Sequence, residues 1–114
     1  MKQLAEEHLK ANRAGRESLA EAFMEMKSAG ECRSLLRDLT TPAELEALVD
    51  RWRVAQLLDQ GLPYREIHDR TGVSVTTIGR VARFIEMGHG GYRLALDRLA
   101  LDRLRSNRKQ GTNQ

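Results

Sequence analysis

Cysteine is almost missing from the sequence. Cys32 stands alone, so no disulfide can close within the chain, and a reducing compartment argues against one between chains. Proline occurs only at Pro42 and Pro63, and few residues alternate with period two, which leaves little from which to build a sheet. Aromatic residues make up 4% of the chain, so a core must come from Leu, Ile, Val and Met. No apolar run approaches the roughly 20 residues that a membrane-spanning helix needs. The opening MKQLAEEHLKANRAGRE is charged throughout and lacks the apolar stretch of a secretion signal. Together these absences argue against a disulfide scaffold, a β-rich fold and a membrane protein, and give a cytoplasmic address by default.

Catalytic and metal-binding patterns are also missing. His8, His68 and His89 do not stand at ligand spacing with Cys32, and there is no CxxC or HxxxH. GHGG at 88–91 has no Lys-Ser/Thr after it and reads as a helix stop, not a phosphate loop. Ser18 and Ser74 have no His–acid partners, and Glu66 and Asp69 flank His68 as surface charges. The chain is expected to be neither an enzyme nor a cofactor carrier.

What remains is a helical pattern. With 114 residues, 40% hydrophobic and 31% charged, the sequence suits one soluble domain with tails. The net charge is +3 and the pI near 9.4, so the placement of charge matters more than its total. Acids and bases nearly cancel up to Gln60, whereas residues 70–85 hold Arg70, Arg80 and Arg83 and no acid. A second basic cluster, Arg98, Arg103, Arg105, Arg108 and Lys109, lies near the end.

A first helix is predicted over about 2–28, with Leu19, Phe23 and Met26 on one stripe, a weak point at Gly15 and a stop at Gly30. CRSLLRDL adds one or two turns. Thr41, Pro42 and Glu44 form a capping box that opens a central helix, and Gly61 closes it. Leu45, Leu48, Val49, Trp52, Ala55, Leu57 and Leu58 cover more than half of that helix's circumference. In so short a chain, two apolar faces suggest that the second packs on another subunit.

Short helices are predicted over about 63–70 and 75–87. Thr71-Gly72 ends the first, and Ser74 caps the second by accepting from the amide of Thr76 or Thr77. Ile67, Val73, Ile78, Val81 and Ile85 fall where a crossed helix pair must meet, and Gly72 falls in the turn: a helix-turn-helix at 63–87. Val75, Thr76, Thr77, Gly79, Arg80 and Arg83 then fall on the outer face. Thr76 can donate to or accept from base edges and bring its methyl to thymine; Val75 can do only the latter. Gly79 lets the backbone come close to the groove. Arg80 can reach guanine or phosphate, and Arg83 phosphate. Tyr64, Arg65 and His68 point toward the backbone of the flanking strand. A final helix over 92–104 carries Leu94, Leu96, Leu99, Leu101 and Leu104.

These residues, with DLTTPAELEAL, RVAQLLDQGLPYREIHDRTGVS, TTIGRV and GHGGYRLALDRL, resemble the Trp repressor superfamily, and more closely its YerC/YecD group, from about Glu17 to Leu104. The resemblance implies an all-α, Trp-repressor-like helix-turn-helix domain at 17–104 that forms an intertwined homodimer. Residues 1–16 would be a polar helical extension, and 105–114 a disordered basic tail. It places the family's two ligand-gripping arginines at Arg51 and Arg80. Arg51 also has a plainer reading, an ion pair with a nearby acid. Val81 stands where the family's ligand-binder has glycine, and Phe84 where it has serine. The expectation is that these side chains fill the effector pocket and hold the reading heads without tryptophan.

The reading is a DNA-binding transcription regulator, a repressor acting on a palindromic operator. Two alternatives stay open: an accessory DNA-binding module of a transposase or recombinase, and a protein-interaction helix-turn-helix.

Overall fold

The computed structural model describes residues 2–112, and these contain six helices and no strand. Met1 of the expected N-terminal extension and residues 113 and 114 of the expected tail lie outside the described residues. The chain divides into two compact units, one ending at Leu45 and one beginning at Glu46.

In the first unit, α1 (Lys2–Met24) runs unbroken through Gly15, the expected weak point, and buries none of its residues. α2 (Ala29–Leu39) begins earlier than expected, and Gly30 lies in its first turn instead of ending α1. The reason is a cap that the glycine concealed. Ser28 Oγ accepts from the Glu31 amide at 3.1 Å, and Glu31 Oε1 accepts from the Lys27 amide at 2.9 Å. This serine–glutamate spacing satisfies one free amide of the first turn, that of Glu31, and ties the residue before the cap, Lys27, to the helix start. Thr40 closes α2, its hydroxyl donating to the Leu36 carbonyl at 2.7 Å.

The start of α3 (Pro42–Asp59) is the expected capping box. Thr41 Oγ1 accepts from the Glu44 amide at 3.2 Å, and Glu44 Oε1 accepts from the Thr41 amide at 2.9 Å. Donation to the carboxylate from the Thr41 amide first, and from its hydroxyl second, favours the charged form and holds the Glu44 pKa below its ordinary value.

The second unit holds the core. Val54 and Ala55 of α3 meet Ile67 of α4 (Tyr64–Thr71), Val73 of the turn, and Ile78 and Val81 of α5 (Val75–Met87). Trp52, Leu57, Leu58, Leu62, Ile85 and Tyr92 pack around this cluster partly buried, so Ile85 lies at the core's edge. α3 ends on Gly61, whose φ of 84° is the left-handed value that favours glycine. The Gly61 amide donates to Leu58 at 2.9 Å and the Leu62 amide to Leu57 at 3.3 Å, a paired pattern that satisfies the last carbonyls.

α6 (Gly91–Thr112) comes after a break at 88–90 and packs on α5. It continues well past Leu104, so residues 105–112, expected to be disordered, are helical. Nothing in RSNRK stops a helix: there is no proline, and the first glycine comes at Gly111. Arg93 ties α6 to α3, donating to Asp97 and to Asp59, each at 2.8 Å. Hydrogen bonds to Asp97 first and Asp59 second raise the Arg93 pKa above its ordinary value. Leu48 and Val49 on α3 stay 41% and 45% exposed in the single chain, so the second apolar face of α3 is uncovered. No helix among the described residues is long and apolar enough to cross a membrane.

Candidate nucleic-acid interface

The α4–α5 turn is fixed by hydrogen bonds at almost every polar group it offers. Gly72 has φ 74° and its amide donates to the His68 carbonyl at 2.8 Å. Thr71 Oγ1 donates to the Ile67 carbonyl at 2.7 Å and accepts from the Val73 amide at 3.1 Å. His68 Nδ1 lies 2.7 Å from the Val73 carbonyl. A carbonyl can only accept, so Nδ1 carries the proton in this contact, and Nε2 is left for a partner outside. Ser74 Oγ accepts from the Thr77 amide at 3.2 Å and donates to Thr77 Oγ1 at 3.0 Å.

α5 sorts its residues by helical period. Ile78 and Val81 are 0% and 2% exposed. Val75, Thr76, Arg80 and Arg83 are exposed, and Gly79 is half-buried. Tyr64, Arg65 and His68 of α4 are exposed as well. The ring of Tyr64 lies beside Gly79: its Cε2 is 3.9 Å from the point a Cβ there would occupy. The structure therefore gathers the expected outer-face residues, with two refinements. Thr77 is half-buried and its oxygen receives Ser74, so it serves the cap more than the surface. His68 spends one ring nitrogen on the turn. Neither was legible from spacing, since each depends on how the turn folds back on its own backbone.

The four expected pocket residues also come together. Arg51, Arg80, Val81 and Phe84 line a cavity of about 540 Å³ with Trp52, His89 and Tyr92. Val81 and Phe84 do not fill this space, contrary to expectation. Val81 shares the period of Ile78 and turns its side chain into the core. Phe84 is 49% exposed and forms a wall. Sequence reasoning missed Trp52 and Tyr92 as walls; their signal was to be the only Trp and one of two Tyr, each beside a residue already singled out. Arg51 donates from Nε to the Ala47 carbonyl at 3.3 Å, one turn back on α3. Arg80 borders both this cavity and a second hollow of about 430 Å³ lined by Asp50, Ser74 and Thr77.

A short helix, a left-handed glycine, a serine cap and a second helix with an apolar inner face and a cationic outer one define an all-helical helix-turn-helix protein. Comparison with known proteins makes this specific. The pattern of the family described as "Trp repressor protein" matches residues 15–100, and the chain belongs to that family. It is 34% identical over 93 residues to the uncharacterized protein YerC of Bacillus subtilis (strain 168), covering 82% of this chain and 89% of YerC. Two crystal structures share the fold at 33% identity. One is a TrpR-like protein from Eubacterium eligens ATCC 27750, with a TM-score of 0.69 over 74% of this chain and 87% of that one. The other is a Trp repressor candidate from Staphylococcus aureus, with a TM-score of 0.71 over 76% and 87%.

Proposed function

We propose that the chain is a cytoplasmic, sequence-specific DNA-binding regulator of transcription, acting as a repressor and as an intertwined homodimer on a roughly palindromic operator. The observation that carries this reading is the division of α5: Ile78 and Val81 are buried while Val75, Thr76, Arg80 and Arg83 are exposed on the opposite side. A helix held by its inner face and cationic on its outer face suits the major groove, which admits one α-helix. Thr76 and Val75 reach base edges, Arg80 reaches guanine or phosphate, and Arg83 reaches phosphate. Tyr64 and Arg65 donate to the strand backbone, His68 joins them through Nε2 when both of its ring nitrogens carry a proton, and Thr77 holds the helix start in place.

Two copies are part of the reading because one copy leaves Leu48 and Val49 of α3, and Leu94, Leu99 and Leu101 of α6, largely exposed. A second chain covers these faces and sets two copies of α5 about one DNA turn apart. No cofactor is needed for this action. The reading takes the protein to act without tryptophan: although the cavity is open in the single chain, Val81 and Phe84 give it a different lining from the glycine and serine of the family's ligand-binder.

The test combines sedimentation of the purified protein with gel-shift binding to a random duplex pool at two salt concentrations. A dimer whose affinity falls steeply with salt supports the reading, because arginine contacts release counterions from DNA. A monomer, or a dimer indifferent to every duplex, overturns it.

A further inference from the structure

The exposed face of α5 is not uniform. Its second and third turns are cationic on this face, with Arg80 and Arg83. At its start few side chains are free to hydrogen-bond outward. Val75 is 53% exposed and carries only methyl groups. Gly79 offers no side chain, and the ring of Tyr64 flanks it. Thr77 has its hydroxyl in contact with Ser74. Thr76 and Tyr64 carry the hydroxyls here that the fold does not use, and Thr76 has a methyl beside its own. Val75 is an exposed apolar side chain at the start of a helix whose outer face carries Arg80 and Arg83 further along. That cationic face is complementary to phosphates, so the surface the valine meets belongs to a polyanion.

Resting on the DNA-binding reading above, we infer that this first turn recognises the 5-methyl group of thymine, with Val75 as the principal specificity-determining residue and Thr76 as its companion. In the major groove, hydrogen-bond donors and acceptors mark every base pair, but thymine alone among the four bases presents a methyl group. A surface with so few donors can discriminate there by apolar contact. The arginines supply affinity and set the register, and the valine selects the base.

The experiment separates this inference from the reading on which it rests. Selection from a random duplex library yields the bound sequence. Each thymine in that duplex is then replaced singly by uracil, which removes the methyl and leaves the hydrogen-bonding edge unchanged. At one or two positions in each half-site, uracil should weaken binding about fourfold, the effect of one buried methyl-sized group. The Val75→Ala protein should bind the thymine and uracil duplexes alike at that position. Because Val75 is exposed, the substitution leaves the core intact, which a thermal melt of the variant checks. Equal binding of thymine and uracil at every position by the wild-type protein, or an unchanged preference in Val75→Ala, overturns the inference and leaves DNA binding standing. Failure of any duplex to be enriched overturns the DNA-binding reading, and the inference with it.

Discussion

Gly79→Ala should make the protein more stable and a poorer DNA binder. Glycine inside a helix costs up to about 1 kcal/mol relative to alanine, because more backbone freedom is lost on folding. Nothing in the fold of one chain requires that cost at Gly79. Its φ is not in the left-handed region, and beyond its own helix backbone an added Cβ would meet, among the described residues, Cε2 of Tyr64 at the ordinary contact distance of 3.9 Å. The alanine should therefore stabilise α5 by about 0.5–1 kcal/mol, raising the melting temperature by roughly 2–6 °C at fixed protein concentration. On DNA the sign reverses. A methyl group on the groove-facing side holds the helix away from the base edges and weakens contacts at Val75 and Thr76, each good base contact being worth about 1–3 kcal/mol. The expected loss is about tenfold or more in Kd. Thermal or urea denaturation gives the first quantity, and gel shift or fluorescence anisotropy on the selected duplex gives the second. A variant that is more stable and binds DNA as well as the parent would refute the idea that the bare backbone exists for close approach. A less stable variant would refute the local geometry itself.

Other perturbations test other parts of the molecule. Gly88→Ala should destabilise the α5–α6 junction by roughly 1–3 kcal/mol in a denaturation series, because its Cβ would overlap the backbone carbonyl of Phe84. The Glu44 pKa is lowered by its bonds to Thr41, so the stability it contributes is present above the ordinary carboxylate range and is lost as pH falls through the lowered value. Glu44→Gln should flatten that acid limb of the stability–pH profile; an unchanged limb would mean the capping box carries no proton-linked stability. Arg80→Ala should weaken specific binding by about 1–3 kcal/mol if it touches a base, whereas loss of a phosphate contact alone should weaken all sequences together and reduce the salt slope by about 1. Calorimetric titration with L-tryptophan should give no saturable heat, and micromolar binding would remove the ligand-free reading of the pocket.

The parts of this fold that are legible from sequence are those whose signal lies within four residues. Thr41-Pro42-x-Glu44 is a complete set of bonding partners in linear order, and the structure closes both of its hydrogen bonds. Gly72 and Ser74 are similar: one tolerates the left-handed turn, and the other caps the next helix. Where two local signals compete, residue type alone points the wrong way. Gly30 reads as a stop although Ser28 and Glu31 bracket it at cap spacing, and the cap prevails because it satisfies amides that the glycine leaves untouched. The length of α6 is hidden for a related reason, since polar composition suggests disorder while no breaker stands before Gly111.

The site divides along the same line. Which face of α5 is outward is set by the 3.6-residue period, so the sequence alone places Ile78 and Val81 inside and Arg80 and Arg83 outside. The period does not say which outward residues are free to bind. Thr76 and Thr77 are chemically identical and adjacent, yet Ser74 Oγ stands 3.0 Å from the oxygen of Thr77. Val81 and Phe84 share one expected task, filling a pocket, because both are larger than the residues they replace. Volume alone cannot tell that three residues of helix turn one into the core and leave the other on a wall. The cavity they were expected to close is consequently open in the single chain, with Arg80 reaching from it to the outer face of α5. A residue common to a cavity and a reading surface can couple them only if a molecule entering the cavity moves its guanidinium. Binding of the selected duplex by Phe84→Ser, measured beside the parent, therefore tests whether that wall holds Arg80 in its reading position. Affinity should fall several-fold if it does, and stay unchanged if Arg80 is held by α5 alone.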